Sequence, residues 1–306
     1  MELKLYVDAL TGSIIDESVG KCNRLNNCGY HVSPGMYFKA KGELEIGKHT
    51  YSKLPISNSK ITFTEPTYST IPITLYSGSL SGFEHNHFFN YLSALFHPVV
   101  AFQLSRKYAI GTSKHWPGAT VFWQIDALGN VRTGKIMLYD EVTGKRVKSP
   151  VSCINWVHTV LKLPDFRLRQ CLFGEHQLCP GTPDQAVAIV ESEKTAILMS
   201  GLIPDYIWLA TGGLHNLNPE RCACLKNKKV LLFPDLNAYD QWGKKAEAIQ
   251  PICRSLVLSD LLEKNATKAE RDQGLDLADY LMRRDEQFGW VLTDEGYPAF
   301  WDYVAD

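Results

Sequence analysis

Ala186-Val-Ala-Ile-Val190-Glu191-Ser192-Glu193-Lys194-Thr-Ala-Ile-Leu198 is the stretch that decides the fold. It is a short apolar run of strand length, then a carboxylate, then the opening of a helix. A second run, Val230-Leu-Leu-Phe233, leads into Pro234-Asp235-Leu236-Asn237, and a third acidic segment follows in Gly274-Leu-Asp276-Leu-Ala-Asp279-Tyr280. Buried strands that end in acidic residues set those residues at the carboxyl edge of a parallel sheet, where α/β proteins hold ligands. Carboxylates gathered at one edge repel one another unless a cation lies between them, and hard oxygen donors suit Mg²⁺.

Two more strands are expected at Tyr206–Ala210 and Ser255–Leu258, with helices over Glu193–Ser200, Tyr239–Gln250 and Leu275–Arg284. This alternation predicts an α/β fold, a parallel sheet flanked by helices. Thr211-Gly212-Gly213 follows the second strand, a turn where backbone can approach a neighbour closely. Upstream, Phe88 to Lys107 has helical spacing and breaks at Pro98 into two helices. Ala119–Ile125 and Val131–Tyr139 read as a hairpin across Asp126-Ala-Leu-Gly129-Asn130, so an α+β lobe precedes the parallel sheet. Arg132, Lys135, Lys145, Arg146 and Lys148 are expected to give that hairpin region a positive side, facing phosphates or simply solvent.

The 306 residues suffice for two domains or one large one. A net charge of −1 removes any global basic signal for nucleic acid, so such a surface has to be local. No apolar stretch reaches the roughly 18 residues of a membrane span, and Met1-Glu-Leu-Lys-Leu-Tyr-Val-Asp8 lacks a signal-peptide core. A cytoplasmic protein with no membrane partner is the expectation, and its eight cysteines are then thiols or metal ligands rather than disulfides.

Cys22-Asn-Arg-Leu-Asn-Asn-Cys28-Gly29 has the form of one zinc-ribbon knuckle. Structural zinc sites usually take two such pairs, and no second pair lies nearby, so Zn²⁺ is expected at less than one per chain or not at all, with His31 the next candidate ligand. Residues 34–90, rich in Ser, Thr, Pro and Gly, read as loop with short extended pieces. His85-Asn-His87 invites a metal reading, but His-x-His occurs often by chance and no carboxylate has matching spacing. Trp116 and Trp123 read as core, with base stacking as the other use.

The order of these motifs resembles the toprim fold of bacterial primases, topoisomerases and some nucleases. Glu191 matches the Glu that ends the first toprim strand, Asp235 the first Asp of an Asp-x-Asp, Asn237 its second position, and Asp276 and Asp279 the last acidic segment. The resemblance extends upstream to the catalytic core of DnaG-type primases. His97-Pro98 with Tyr108-Ala-Ile-Gly111 looks like its entry, Val121–Lys135 like its β-hairpin, and Cys171-Leu-Phe-Gly174 like the segment before its toprim strand. It covers roughly residues 85–285, with a degenerate ribbon ahead, and looks most like small primase-like proteins of mobile elements. The division it implies is a zinc-ribbon-like segment (1–33), a linker or arm (34–84), a primase-like lobe (85–185), a toprim domain (186–285) and a tail (286–306).

What the resemblance implies is nucleotidyl transfer from nucleoside triphosphates on a single-stranded DNA template, with Mg²⁺ or Mn²⁺ at Glu191, Asp235, Asn237, Asp276 and Asp279. Glu191 would ligate or act as general base, and Lys194, Lys135 and Arg132 would neutralise phosphates. A separate helicase or replication protein would be a partner. Ser192 stands where the family has glycine and Asn237 where it has Asp. The rival readings are a metal-dependent nuclease on the same carboxylates and a DNA-binding module with impaired chemistry.

Overall fold

The computed structural model describes residues 3–6, 14–22, 31–33, 37, 68–178 and 185–288. The chain divides into two compact units, Met1–Phe63 and Thr64–Asp306. In the first, β1 (Leu3–Leu5) pairs antiparallel with β2 (Gly20–Cys22). Val19 is buried beside this ribbon, and the Tyr6 hydroxyl meets His31 Nε2 at 2.8 Å. The backbone of Cys22 ends β2, while its side chain and all of Cys28 lie outside the described residues.

The second unit opens with α1 (Ile73–Ser79), followed by α2 (His87–Leu95) and α3 (Pro98–Lys107). The buried Asn86 side chain caps α2, accepting from the N–H groups of Phe88 and Phe89 at 3.1 Å each. Pro98 opens α3, where its missing N–H costs nothing. An antiparallel sheet comes next, β3 (Gly111–Ser113), β4 (Ala119–Ile125), β5 (Val131–Met137) and β6 (Ile154–Trp156), ordered as numbered, with the short α4 (Val157–Val160) beyond it. The β4–β5 register shifts at Gln124/Ile125. Gln124 opposes Thr133 and Ile125 opposes Val131, which leaves Arg132 bulged out of the ladder.

The parallel sheet holds β7 (Val187–Val190), then α5 (Glu193–Leu202), β8 (Ile207–Ala210), β9 (Lys229–Leu232), α6 (Tyr239–Ile249) and β10 (Ser255–Leu258). Helices α7 (Leu261–Asn265), α8 (Lys268–Gln273) and α9 (Leu277–Phe288) follow. The strand order is β10-β9-β7-β8, all parallel. The chain leaves β7 for β8 on one side and then returns to lay β9 on the other. The carboxyl ends of β7 and β9 therefore flank the point where the winding reverses, which is where open α/β sheets bind ligands.

Side chains alternate with the strand period. Ala188 and Val190 face a core with α2, α3, α5, Phe122 and Met137, whereas Val187 and Ile189 face a second core with Trp242 and Ile249 of α6. Val121, Trp123, Ile125 and Ile136 face a third core on the far side of the antiparallel sheet. Trp123 is buried there and donates to Ser79 Oγ at 2.9 Å.

One expectation is corrected within 34–90. Residues 73–79 are helical rather than loop or extended. Ser and Gly in Ile73-Thr-Leu-Tyr-Ser-Gly-Ser79 give no helical signal, and Ile73 and Leu75 stay exposed, so no apolar stripe marks the element. Tertiary contacts hold it: the Trp123–Ser79 bond at its end and the Ile71 N–H to Val131 carbonyl bond ahead of it. Residues 41–67 lie outside the described residues.

Candidate active site

Glu191 follows β7 directly. Its backbone carbonyl accepts from Gly212 N–H at 2.8 Å, which ties the β7 exit to the glycine turn after β8. Burial is the largest influence on the Glu191 carboxyl and raises its pKa, with the neighbouring Glu193 adding to the rise. The Leu214 N–H, Lys135 and His215 lie near its carboxylate and act to lower its pKa. Ser192 caps α5, its hydroxyl accepting from Thr195 N–H at 3.1 Å.

Asp235 lies three residues past β9, on the strand adjacent to β7. Its Oδ1 is fully buried with no hydrogen-bond partner among the described residues. Burial raises its pKa well above the ordinary aspartate value, and Asp276, Glu191 and Asp279 push it the same way. Asp276 precedes α9 and acts as its cap, Oδ1 accepting from Asp279 N–H at 2.8 Å. Its Oδ2 accepts from the Thr195 hydroxyl at 2.6 Å, across to α5. Burial and Asp279 raise the Asp276 pKa, opposed by Lys194 and these two donors. The four carboxylates named from the sequence thus share one neighbourhood at the β7/β9 edge.

Two lysines enter it. Lys135 reaches from β5 to both Glu193 oxygens at 3.1 Å and to the Gly212 carbonyl at 3.2 Å. Gly212 has φ of +72°, and a Cβ there would sit 2.9 Å from Glu193 Oε1, so both conformation and space require glycine. Lys194 Nζ lies 3.4 Å from Asp279 Oδ1. Burial alone would lower the Lys194 pKa, but Asp279, Asp276 and Tyr91 together hold it above its ordinary value.

The structure divides the remaining candidates. The Asn237 amide donates to the Arg271 carbonyl at 2.8 Å, its N–H goes to Glu263 at 3.2 Å, and the residue is exposed. It sits at φ of +71°, a left-handed turn position that Asn tolerates, so its side chain serves the α7–α8 segment rather than the carboxylates. The five hairpin cations do not form one surface. Arg132 is buried, donates to Asp126 Oδ2 at 2.7 Å and stacks on Tyr68 at 3.2 Å. Lys135 is taken by Glu193, and only Lys145, Arg146 and Lys148 are exposed. His87 Nδ1 lies 3.1 Å from the Tyr139 carbonyl, and His85 is exposed.

Sequence reasoning missed Glu193, Thr195 and Tyr91. Glu193 reads as an ordinary first-turn acid, yet it is buried against a lysine 58 positions away. Tyr91 of α2 is buried close enough to Lys194, Asp276 and Asp279 to feel all three charges. The turn at Gly144 closes over its ring. No local spacing reports such long-range pairings.

Among the described residues, no three His, Cys, Asp or Glu side chains converge closely enough to hold a metal ion together. The donor chemistry still fits a hard divalent cation: all-oxygen ligands, with one buried carboxylate oxygen left unpaired among them. No described helix is long and apolar enough to cross a membrane.

A family described as a domain of unknown function (DUF6371) matches residues 86–236, and one described as a zinc beta-ribbon finger matches residues 1–43. No curated protein matches the sequence. Among solved structures, the E. coli primase catalytic core is similar at 15% identity and TM-score 0.41, covering 72% of this chain and 85% of that chain. The DnaG catalytic core is similar at 14% identity and TM-score 0.43, covering 73% and 85%. The primase fragment of the bacteriophage T7 primase-helicase is similar at 15% identity and TM-score 0.33, covering 56% and 70%.

Proposed function

We propose that this chain is a metal-dependent nucleotidyl transferase of the DNA primase type. In this reading it joins nucleoside triphosphates on single-stranded DNA at the β7/β9 edge. The observation that carries the reading is Asp235: a buried carboxylate oxygen with no hydrogen-bond partner among the described residues, within the electrostatic reach of Asp276, Glu191 and Asp279 at the winding reversal of the sheet. A fold keeps such a costly arrangement where it is used. The sequence resemblance to DnaG-type primases supplies the reaction class.

Asp235, Asp276 and Glu191 would hold Mg²⁺ or Mn²⁺, with Asp279 beside them. The cation would polarise phosphoryl oxygens and offset the charge that develops on them. Glu191, with its raised pKa, suits proton acceptance from an attacking hydroxyl. Exposed Lys145, Arg146 and Lys148 offer phosphate contacts for a template strand, independent of base identity. Lys135 keeps Glu193 and the Gly212 turn in place.

A second reading has one observation of its own. The Asn237 side chain is engaged by Arg271 and brings no carboxylate to the site, which favours a DNA-binding module with weakened chemistry. Incorporation of labelled nucleoside triphosphates on single-stranded DNA separates the two, run beside cleavage of the same DNA with Mg²⁺ or Mn²⁺. Incorporation abolished by Asp235→Ala supports the transferase. Metal-dependent cleavage without incorporation would make it a nuclease. Salt-sensitive DNA binding with neither activity would leave the module.

A further inference from the structure

Lys194 occupies an unfavourable position. It is the second residue of α5, where the helix N-terminus repels cations, and its side chain is only 13% exposed. Something at that position outweighs both penalties. Asp279 lies 3.4 Å from its ammonium, and Asp276 and Tyr91 are near enough to act on its charge.

The contact itself is loose. At 3.4 Å, Lys194 Nζ to Asp279 Oδ1 exceeds the roughly 2.7–2.9 Å of a strong charge-assisted hydrogen bond. Lys135, by contrast, is locked by three acceptors. Asp276 has its two oxygens fixed by Thr195 and by the Asp279 N–H, so it is held in place without Lys194. The neighbourhood therefore contains one fixed ammonium and one that can leave. Among the described residues, Asp235 Oδ1 has no donor and the carboxylates do not converge into a three-residue ligand set.

We propose that Lys194 is a tethered counter-ion that holds the place of a divalent cation beside Asp276 and Asp279 and withdraws when the cation enters. The inference rests on the divalent-cation reading above. Lys194 is a positioning residue: it offsets the charge of Asp276 and Asp279 in the metal-free protein, and its ammonium competes with the metal. Removing its charge should weaken the metal-free fold and tighten metal binding. A lysine that merely packed, or that only contacted nucleotide phosphates, would give no tightening.

The test is calorimetric titration of Mn²⁺ into chelator-treated full-length chain, with no DNA or nucleotide present. The parent is compared with Lys194→Met, which keeps the stem and removes the charge, and with Lys194→Arg, which keeps the charge. Binding at least about 10-fold tighter in Lys194→Met, with Lys194→Arg close to the parent, supports the proposal. The thermal midpoint of metal-free Lys194→Met should also fall and recover on adding Mn²⁺. Should Lys194→Met fail to fold, Lys194→Gln carries the same expectation. Equal or weaker Mn²⁺ binding in the uncharged variant overturns the counter-ion role and leaves the metal site standing. No Mn²⁺ binding by either parent or variant overturns both.

Discussion

Replacing Asp235 by asparagine should stabilise the metal-free protein. Asp235 carries a buried oxygen with no donor among the described residues, and three other carboxylates act on its charge. A buried group left unsatisfied costs about 1–3 kcal/mol, more when charged. Asparagine keeps the shape, removes the charge, and turns an orphaned acceptor into an N–H₂ whose dipole suits a negative surrounding. A gain of about 2 kcal/mol at pH 8 corresponds to roughly 4–8 °C in the thermal midpoint of a unit this size. The pH dependence fixes the sign. The folded Asp235 pKa is raised, so the fold keeps its proton to higher pH than the unfolded chain does. That contribution is complete below the ordinary carboxylate range, about 4, and is lost as pH rises through the raised folded value. Glu191 and Asp276 act in the same direction. The metal-free parent should therefore lose stability toward pH 8, and its gap to Asp235→Asn should close on acidification. Mg²⁺ at a hundredfold excess over its Kd should return about 2.7 kcal/mol to the parent and far less to the variant. Urea melts at pH 5 and pH 8, with chelator or Mg²⁺, make the measurement. A metal-free variant less stable than the parent at pH 8, or a gap that does not depend on pH, would refute the reasoning.

Two further outcomes follow from contacts around the site. Lys135→Ala leaves Glu193, only 2% exposed, without its cation and should cost about 3–5 kcal/mol in denaturant melts. Adding Glu193→Gln should recover most of that loss, and no recovery would mean that Lys135 is held by something else. Gly144→Ala should cost more than about 1 kcal/mol, because φ is +61° and the new methyl would collide with the Tyr91 ring. Salt-dependent DNA binding should weaken with it, since the same turn carries Lys145 and Arg146; unchanged binding in the folded variant would separate the turn from the template path.

The backbone of the site was legible because its signals are local. An apolar run as short as Val187–Val190 that ends in Glu191, and another that ends near Asp235, fix a parallel sheet edge without knowledge of the rest. The two helices around Pro98 and the hairpin across Gly129 are equally local, written by one proline and one turn. What stayed hidden depends on distant partners. Arg132 looks like a surface cation in sequence, but a bulge turns it onto Tyr68 and Asp126. Asn237 looks like a metal ligand in register with Asp235, but its left-handed backbone gives its amide to Arg271. Helix α1 has no apolar stripe to read, and its stability comes from a tryptophan on another strand.

The layer formed by α2, α3 and α5 belongs to both sheets. Phe122 and Met137 of one and Ala188, Val190 and Trp208 of the other pack into the same apolar mass with Leu92, Val100 and Ile197. The Tyr108 hydroxyl donates into that mass, to the Trp208 carbonyl at 2.9 Å. Two sheets that share their filling cannot melt one after the other: loosening either strips apolar surface from its partner. Nor can they swing apart as jaws around a long polymer without opening that surface to water. Any adjustment at the acidic edge is thereby confined to side chains and turns around it.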